Sequence, residues 1–181
     1  RSVIRYFIDG YQQGLTPNPC MICNQKIKFG QLVDAAKRFG AGKIATGHYA
    51  GISRIQTETG TCHFLTKGSD RSKDQSYFLG LLSSDQLSRV VFPLSSLKKS
   101  EVREIAQDNQ LVPPTRNESQ DICFIPDNDT QTFLKTRLPE KPQAGIIRNT
   151  TGKPVGRHSG LYRYTVGQRR GINCPAPAPY Y

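Results

Sequence analysis

The chain has 181 residues, 36% of them hydrophobic and 22% charged, enough for one ordinary domain or one and a half at the usual ~100 to 200 residues per domain. No apolar run approaches the roughly 18 residues a membrane-crossing helix needs, which speaks against a membrane span. Twenty-five Lys and Arg against fourteen Asp and Glu leave a net charge of +11, and because the basic residues recur along the whole chain they suit an anionic polyelectrolyte, nucleic acid first, with a merely basic solvated surface as the plain alternative.

Five cysteines is an odd count, and no charged-then-apolar leader opens the chain, so the pattern points away from a secreted disulfide scaffold and toward a reducing cytoplasm. There a Cys-x-x-Cys pair more often serves a metal or catalysis than a structural disulfide. "RSVIRYFIDGYQQG" begins in mid-helix, with Val3, Ile4, Phe7, Ile8 and Tyr11 at three-to-four spacing, and "NCPAPAPYY" closes no recognisable element. Both ends therefore read as cut, and the chain as a fragment.

After the first helix, "GLTPNP" reads as a loop with Asn18 as N-cap and Pro19 at the first helical position, where its missing N–H costs nothing. Ile22, Phe29, Val33 and Ala36 then predict one apolar helix face, closed by the glycines of "FGAG". "KIATGHYA" predicts a short buried strand that delivers Gly47 and His48 to a site at its C-terminal end. "GISRIQTETGTCHFLTKG" alternates about a Thr-Gly turn and predicts a β-hairpin bearing Arg54, Lys67 and His63. "DQSYFLGLLSSDQLSRVVFPL" predicts a helix, with Asp74 as cap and Tyr77 and Phe78 as core, then a short strand or turn. "SSLKKSEVREIAQDNQL" predicts a helix whose apolar face is Val102, Ile105 and Ala106. From about Pro126 the segments become short and polar, with a hairpin candidate at "GIIRNTTGKPVG". The expected fold class is α/β, with a domain over residues 1–125, a small mixed α/β or β-rich domain over 126–172, and a tail or further domain start at 173–181.

Cys20 and Cys23 lie three apart at a helix start and share a side, so they can bind one metal or act together on one substrate. The helix dipole and unpaired amides there favour thiolate over a thiol whose ordinary pKa is about 8.5, and Lys26 and Lys28 add positive charge. A closed structural zinc needs four ligands, and neither a second Cys-x-x-Cys nor a His pair is present; Cys62-His63 is too tight a pair to complete it. A redox pair and two idle buried thiols are the plainer alternatives. Cys123, in "NESQDICFIP", is a third thiol, and with Cys20 and Cys23 it makes either a catalytic pair with a helper or three ligands of an iron-sulfur cluster.

In this order, "TPNPCMICNQKIKFG", "ATGHYA", "KDQSYFL", "SQDICFI" and "GLYRYTVGQRRGI" resemble the tRNA-specific 2-thiouridylase family, which exchanges the 2-oxygen of the wobble uridine for sulfur. The resemblance runs from about residue 10 to about residue 172. It implies the later part of a Rossmann-like ATP-pyrophosphatase domain followed by a small central domain. The family's glycine-rich phosphate loop and its C-terminal β-barrel have no counterpart in these residues, so the fragment alone is expected to be inactive. By motif, the resemblance makes Cys23 the nucleophile and Cys123 the cysteine that accepts persulfide sulfur. It places Gly47 against ATP, with Mg2+ accompanying the nucleotide, and His48 and the triplet Lys73, Asp74 and Gln75 against tRNA. Asn18, Pro19 and Cys20 would lie along the target base.

One departure stands out, since many members carry Asp where this chain has Cys20. An acid that could move protons is replaced by a thiol, which strengthens the cluster alternative, a 4Fe-4S centre on Cys20, Cys23 and Cys123. In the two-thiol version Cys123 carries a persulfide supplied by a sulfur-donor protein, and Cys23 releases the sulfur by forming a disulfide. Arg157, His158, Arg163, Arg169 and Arg170, interleaved with Tyr162 and Tyr164, suit phosphate contacts and stacking. Cys62 and Cys174 match no motif. A non-catalytic RNA-binding module and a structural zinc-binding protein are the alternatives from other classes.

Overall fold

The structure, a computed structural model, describes residues 2–111, 122–138, 143–169 and 171–174. It contains two compact units, Cys20–Ser119 and a second made of Arg1–Pro19 with Gln120–Tyr181. The first helix, α1 (Ser2–Gln12), belongs to the same unit as the C-terminal segments.

In the first unit a continuous helix runs from α2 (Pro19–Cys23) through a π-helical stretch (Asn24–Gln31) into α3 (Leu32–Arg38). The sequence predicts this helix but not its widened middle, where the Leu32 amide reaches back five residues to the Ile27 carbonyl. Its end is the predicted glycine cap. Gly40 takes φ 78°, its amide donates to the Lys37 carbonyl at 2.9 Å, and the Ala41 amide donates to Ala36 at 3.0 Å, the paired bonds of a Schellman motif.

β1 (Ile44–Ala45) pairs in parallel with β4 (Val90–Val91), Ile44 opposite Val90. The expected buried strand is only two residues long, and Ala45 is exposed. β2 (Ala50–Thr57) and β3 (Gly60–Lys67) form the expected antiparallel hairpin, with Arg54 opposite His63 and Ile52 opposite Leu65. The single helix expected next is two, α4 (Ser76–Leu79) and α5 (Ser84–Ser88). Ser83 restarts the chain with a capping box, its hydroxyl accepting from the Gln86 amide at 3.2 Å while Gln86 Oε1 accepts from the Ser83 amide at 3.1 Å. That break reassigns the core: Leu79 is buried, whereas Tyr77 is 66% and Phe78 37% exposed.

The core of this unit is Phe29, Ala50, Leu79, Leu87, Val90 and Phe92, with Ile44, Ile52, Leu65 and Leu82 packed against it. α6 (Lys99–Asp108) begins where the Lys99 amide donates to Asp70 Oδ2 at 2.9 Å. None of its residues is fully buried, and Ile105, expected on the apolar face, is 48% exposed.

In the second unit the periodicity of α1 holds: Phe7 and Tyr11 are buried, and Ile4 and Ile8 pack beside them. They meet Ile125 and α7 (Thr130–Lys135), whose Phe133 and Leu134 complete the core; Asp129 caps α7 by accepting from the Thr132 amide at 2.9 Å. Gly10 lies so close to Pro17 that an added Cβ would fall 2.8 Å from Pro17 Cγ, so glycine lets the following loop fold back on α1. β5 (Gly145–Arg148) and β6 (Pro154–His158) form the second predicted hairpin.

Candidate functional site

In the first unit, α2 carries Cys20 and Cys23 three residues apart, both half-buried. Directly after Cys23 the helix widens, and side-chain amides tie that widened turn to the α4–α5 region. Asn24, 2% exposed, donates from Nδ2 to the Phe78 carbonyl at 2.9 Å, and Gln25 Nε2 donates to the Leu81 carbonyl at 2.9 Å. From α5, Gln86 Nε2 donates to the carbonyls of Gln25 at 2.8 Å and Phe29 at 3.0 Å. Nothing in the 3.6-residue pattern signals this arrangement, although three amide residues in "CNQ" and "SDQL" supply it.

His48 follows β1 and lies against the same helix, its ring 5.8 Å from Phe29 and 6.1 Å from Phe92 between centroids. Its Nδ1 is 2.8 Å from Thr46 Oγ1. Burial, and after it the charge of Lys28, push the imidazole down to about 4, so His48 is neutral at physiological pH. Gly47 beside it is exposed, and a Cβ there would meet only Leu94 Cδ1 at 3.7 Å. Among the described residues, neither backbone conformation nor packing requires glycine at 47.

Lys73, Asp74 and Gln75 are brought to the same place from a distant part of the chain. The Gln75 amide donates to the Tyr49 carbonyl at 2.9 Å, and the Tyr49 amide donates to Gln75 Oε1 at 3.2 Å, a two-point clip beside His48. Asp74 Oδ1 accepts from the Gly68 amide at 2.9 Å and Oδ2 from the Ser76 hydroxyl at 2.6 Å. Partial burial raises its carboxyl, but the hydrogen bonds from Ser76 and Gly68 and the charge of Lys67 outweigh that and hold it below the usual carboxylate range. α4 itself starts after Gln75, so Asp74 braces the turn ahead of the helix and does not occupy the N-cap position.

In the second unit, the loop that ends in Asn18 and Pro19 meets the basic segment. Thr16 Oγ1 accepts from the Val166 amide at 3.1 Å, and Leu161 Cδ1 lies 3.4 Å from where a Cβ on Gly14 would stand. The segment is a turn, with the Gln168 amide donating to the Thr165 carbonyl at 2.9 Å and Gly167 at φ 83°, which exposes Val166 and Arg169. Arg163 Nη1 donates to Ser159 Oγ at 3.0 Å, and the rings of His158 and Tyr164 stand edge to face at 6.1 Å. Cys123 is exposed on a turn closed by the Ile125 amide on the Ile122 carbonyl at 2.9 Å, and Ile122, Phe124 and Ile125 root that turn in the core. Residues 119–121 of its motif, Arg170 and residues 175–181 lie outside the described residues.

None of the five cysteines is in a disulfide. Among the described residues no group of three or more His, Cys, Asp or Glu side chains is arranged to hold a metal ion. No described helix is long and apolar enough to cross a membrane.

Two family models match the chain: the tRNA methyl transferase HUP domain over residues 1–127 and the tRNA methyl transferase PRC-barrel domain over residues 131–181. The fold class is therefore a Rossmann-like HUP domain followed by a PRC-barrel-type domain. Among curated proteins, the tRNA-specific 2-thiouridylase MnmA of Desulfosudis oleivorans is 48% identical over 180 residues, 99% of this chain and 49% of that protein. Those of Treponema denticola and Chloroflexus aurantiacus are 46% and 48% identical, with this chain covering 49% and 50% of their lengths. The chain belongs to the tRNA-specific 2-thiouridylase family and spans about half the length of these relatives.

Proposed function

We propose that the chain forms the sulfur-transfer part of a cytoplasmic tRNA 2-thiouridylase, acting on the wobble uridine with ATP, Mg2+ and a persulfide sulfur-donor protein. The observation that carries this reading is the clip between Tyr49 and Gln75, which holds two separate family motifs together beside the helix bearing Cys23. Gly47, glycine without an internal reason, is where adenine nucleotide would lie close to the backbone. Neutral His48, Lys73 and the Thr165–Gln168 turn with Arg169 would meet tRNA, as would Asn18, Pro19 and Cys20 at the base. Asp74 and Gln75 would serve by holding this surface in place.

The chemistry follows from the residue types. Transfer of AMP from ATP to the uracil 2-oxygen, with pyrophosphate leaving, turns a poor leaving group into a good one. A sulfane sulfur on Cys123 is freed when the Cys23 thiolate attacks the Cys123 sulfur: the disulfide forms, and hydrosulfide leaves with the electron pair. Hydrosulfide adds to C2, AMP departs, and a proton is lost; a dithiol reductant then restores both cysteines. The exposed turn presents Cys123 to a donor protein, and this reading requires Cys23 and Cys123 to meet during turnover.

The test uses the full-length protein containing this chain, with tRNA, ATP, Mg2+ and a persulfide donor, and measures 2-thiouridine in nuclease digests by mass spectrometry. Cys23→Ser and Cys123→Ser should each abolish product, and Cys123→Ser should regain it with free sulfide. Full activity of both variants, or activity that tracks protein-bound iron, would contradict the two-thiol path. Nucleotide-independent tRNA binding with no product would favour the RNA-binding alternative.

A further inference from the structure

Gln86 is the residue whose position the activity outlined above leaves unexplained. A π-helix is a costly arrangement, because its wider turn loses axial contact and its i to i+5 bonds compete with α-helical ones. Here it begins at the residue after Cys23 and is held from outside. Gln86 Nε2 donates to the Gln25 and Phe29 carbonyls, Asn24 Nδ2 to the Phe78 carbonyl, and Gln25 Nε2 to the Leu81 carbonyl. Among the described residues Asn24 Oδ1 is buried without a hydrogen-bond partner, an energetic cost borne at the junction with α2. Gln86 is itself fixed, since its Oε1 accepts from the Ser83 amide and its own amide donates to Ser83 Oγ. These bonds pin the backbone at Gln25, and Cys23 precedes it by less than one turn.

We infer that Gln86 is a positioning residue for Cys23: by clamping the widened turn it sets the direction in which the Cys23 thiol faces. The inference rests on Cys23 being the nucleophile, but its primary readout does not. Gln86→Glu keeps the oxygen that caps α5 and loses both donations to the helix, whereas Ser83→Ala disturbs the cap of α5 and leaves the donations in place. Gln86→Met removes the same two donations without adding a charge.

In the full-length protein, the alkylation rate of Cys23 is followed by peptide mass spectrometry over a range of pH, with Cys123 as internal reference and thermal unfolding confirming a folded state. Gln86→Glu should change the Cys23 rate by about fivefold or more and alter its pH profile, with Cys123 unchanged. Ser83→Ala should leave both rates as in the parent. In the thiolation assay Gln86→Glu should lower kcat by about tenfold or more with KM for tRNA unaltered. If Gln86→Glu does not fold, Gln86→Met, which also loses both donations, carries the same comparison. Unchanged Cys23 alkylation in folded Gln86→Glu, or in Gln86→Met where that variant stands alone, overturns the inference, as does an equal change in Ser83→Ala. Activity retained by Cys23→Ser would overturn the proposed chemistry while leaving the alkylation result standing.

Discussion

At residue scale, His48 shows how a motif histidine can be read twice. As a strand-end residue it packs edge-on against Phe92; as a family motif it is expected at tRNA. Its packing fixes one measurable property. The folded imidazole is pushed down to about 4 against an ordinary 6.5, so between those values the unfolded chain binds more protons than the folded one, and stability falls as the solution is acidified through that window. Urea unfolding from about pH 7.5 to about pH 4.5 should show this loss, and His48→Gln should flatten the part that belongs to His48. Gly47 allows a cleaner separation of roles. Since a Cβ at 47 meets Leu94 at an ordinary 3.7 Å, Gly47→Ala should change stability by no more than about 0.5 kcal/mol. In the full-length protein the same substitution should raise KM for ATP; an unchanged KM would remove Gly47 from the nucleotide site.

At the scale of elements, what the sequence makes legible is what glycine, proline and alternation determine locally. Gly40 closes the second helix, Pro19 opens α2, and both hairpins lie where alternating segments flank turns. The π-helix was not legible, because a helix with a wider turn has nearly the same composition and its cause lies in Gln86, far along the chain. The break between α4 and α5 was written in Ser83 and Gln86 but was masked by the apolar run around it. Reading Tyr77 and Phe78 as core failed because a helix as short as α4 turns only once, and Leu79 takes the inward position.

α6 ends in the same paired bonds as the second helix, with the Leu111 amide on Ala106 at 2.8 Å and the Gln110 amide on Gln107 at 3.0 Å, but with Gln110 at φ 53° where glycine is preferred. Gln110→Gly should therefore stabilise the chain by up to about 1 kcal/mol in urea unfolding. A loss of stability would show that the Gln110 side chain contributes more than its backbone strain costs.

At the scale of the whole molecule, the chain order of motifs is more informative than any single motif. The clip from Gln75 to Tyr49 joins segments far apart in sequence, and α1 packs with elements near the other end of the chain. Such long-range pairing has no local signature, which is why the membership of α1 could not be read from the sequence. The net charge of +11 makes the tRNA expectation quantitative. Charge reversal at Arg169 and Arg170 in the full-length protein should weaken tRNA binding and reduce the slope of log affinity against log salt by about one for each phosphate no longer neutralised. An unchanged slope would take the pair out of the footprint.

Whether Cys23 frees sulfur carried on Cys123 for a tRNA uridine is decided by a single turnover with isotopically labelled persulfide preloaded on the full-length protein and no donor in solution. The label should leave the Cys123 peptide and appear in 2-thiouridine, with one Cys23–Cys123 disulfide formed per labelled base. Labelled product from Cys23→Ser, or product formed without that disulfide, would contradict it.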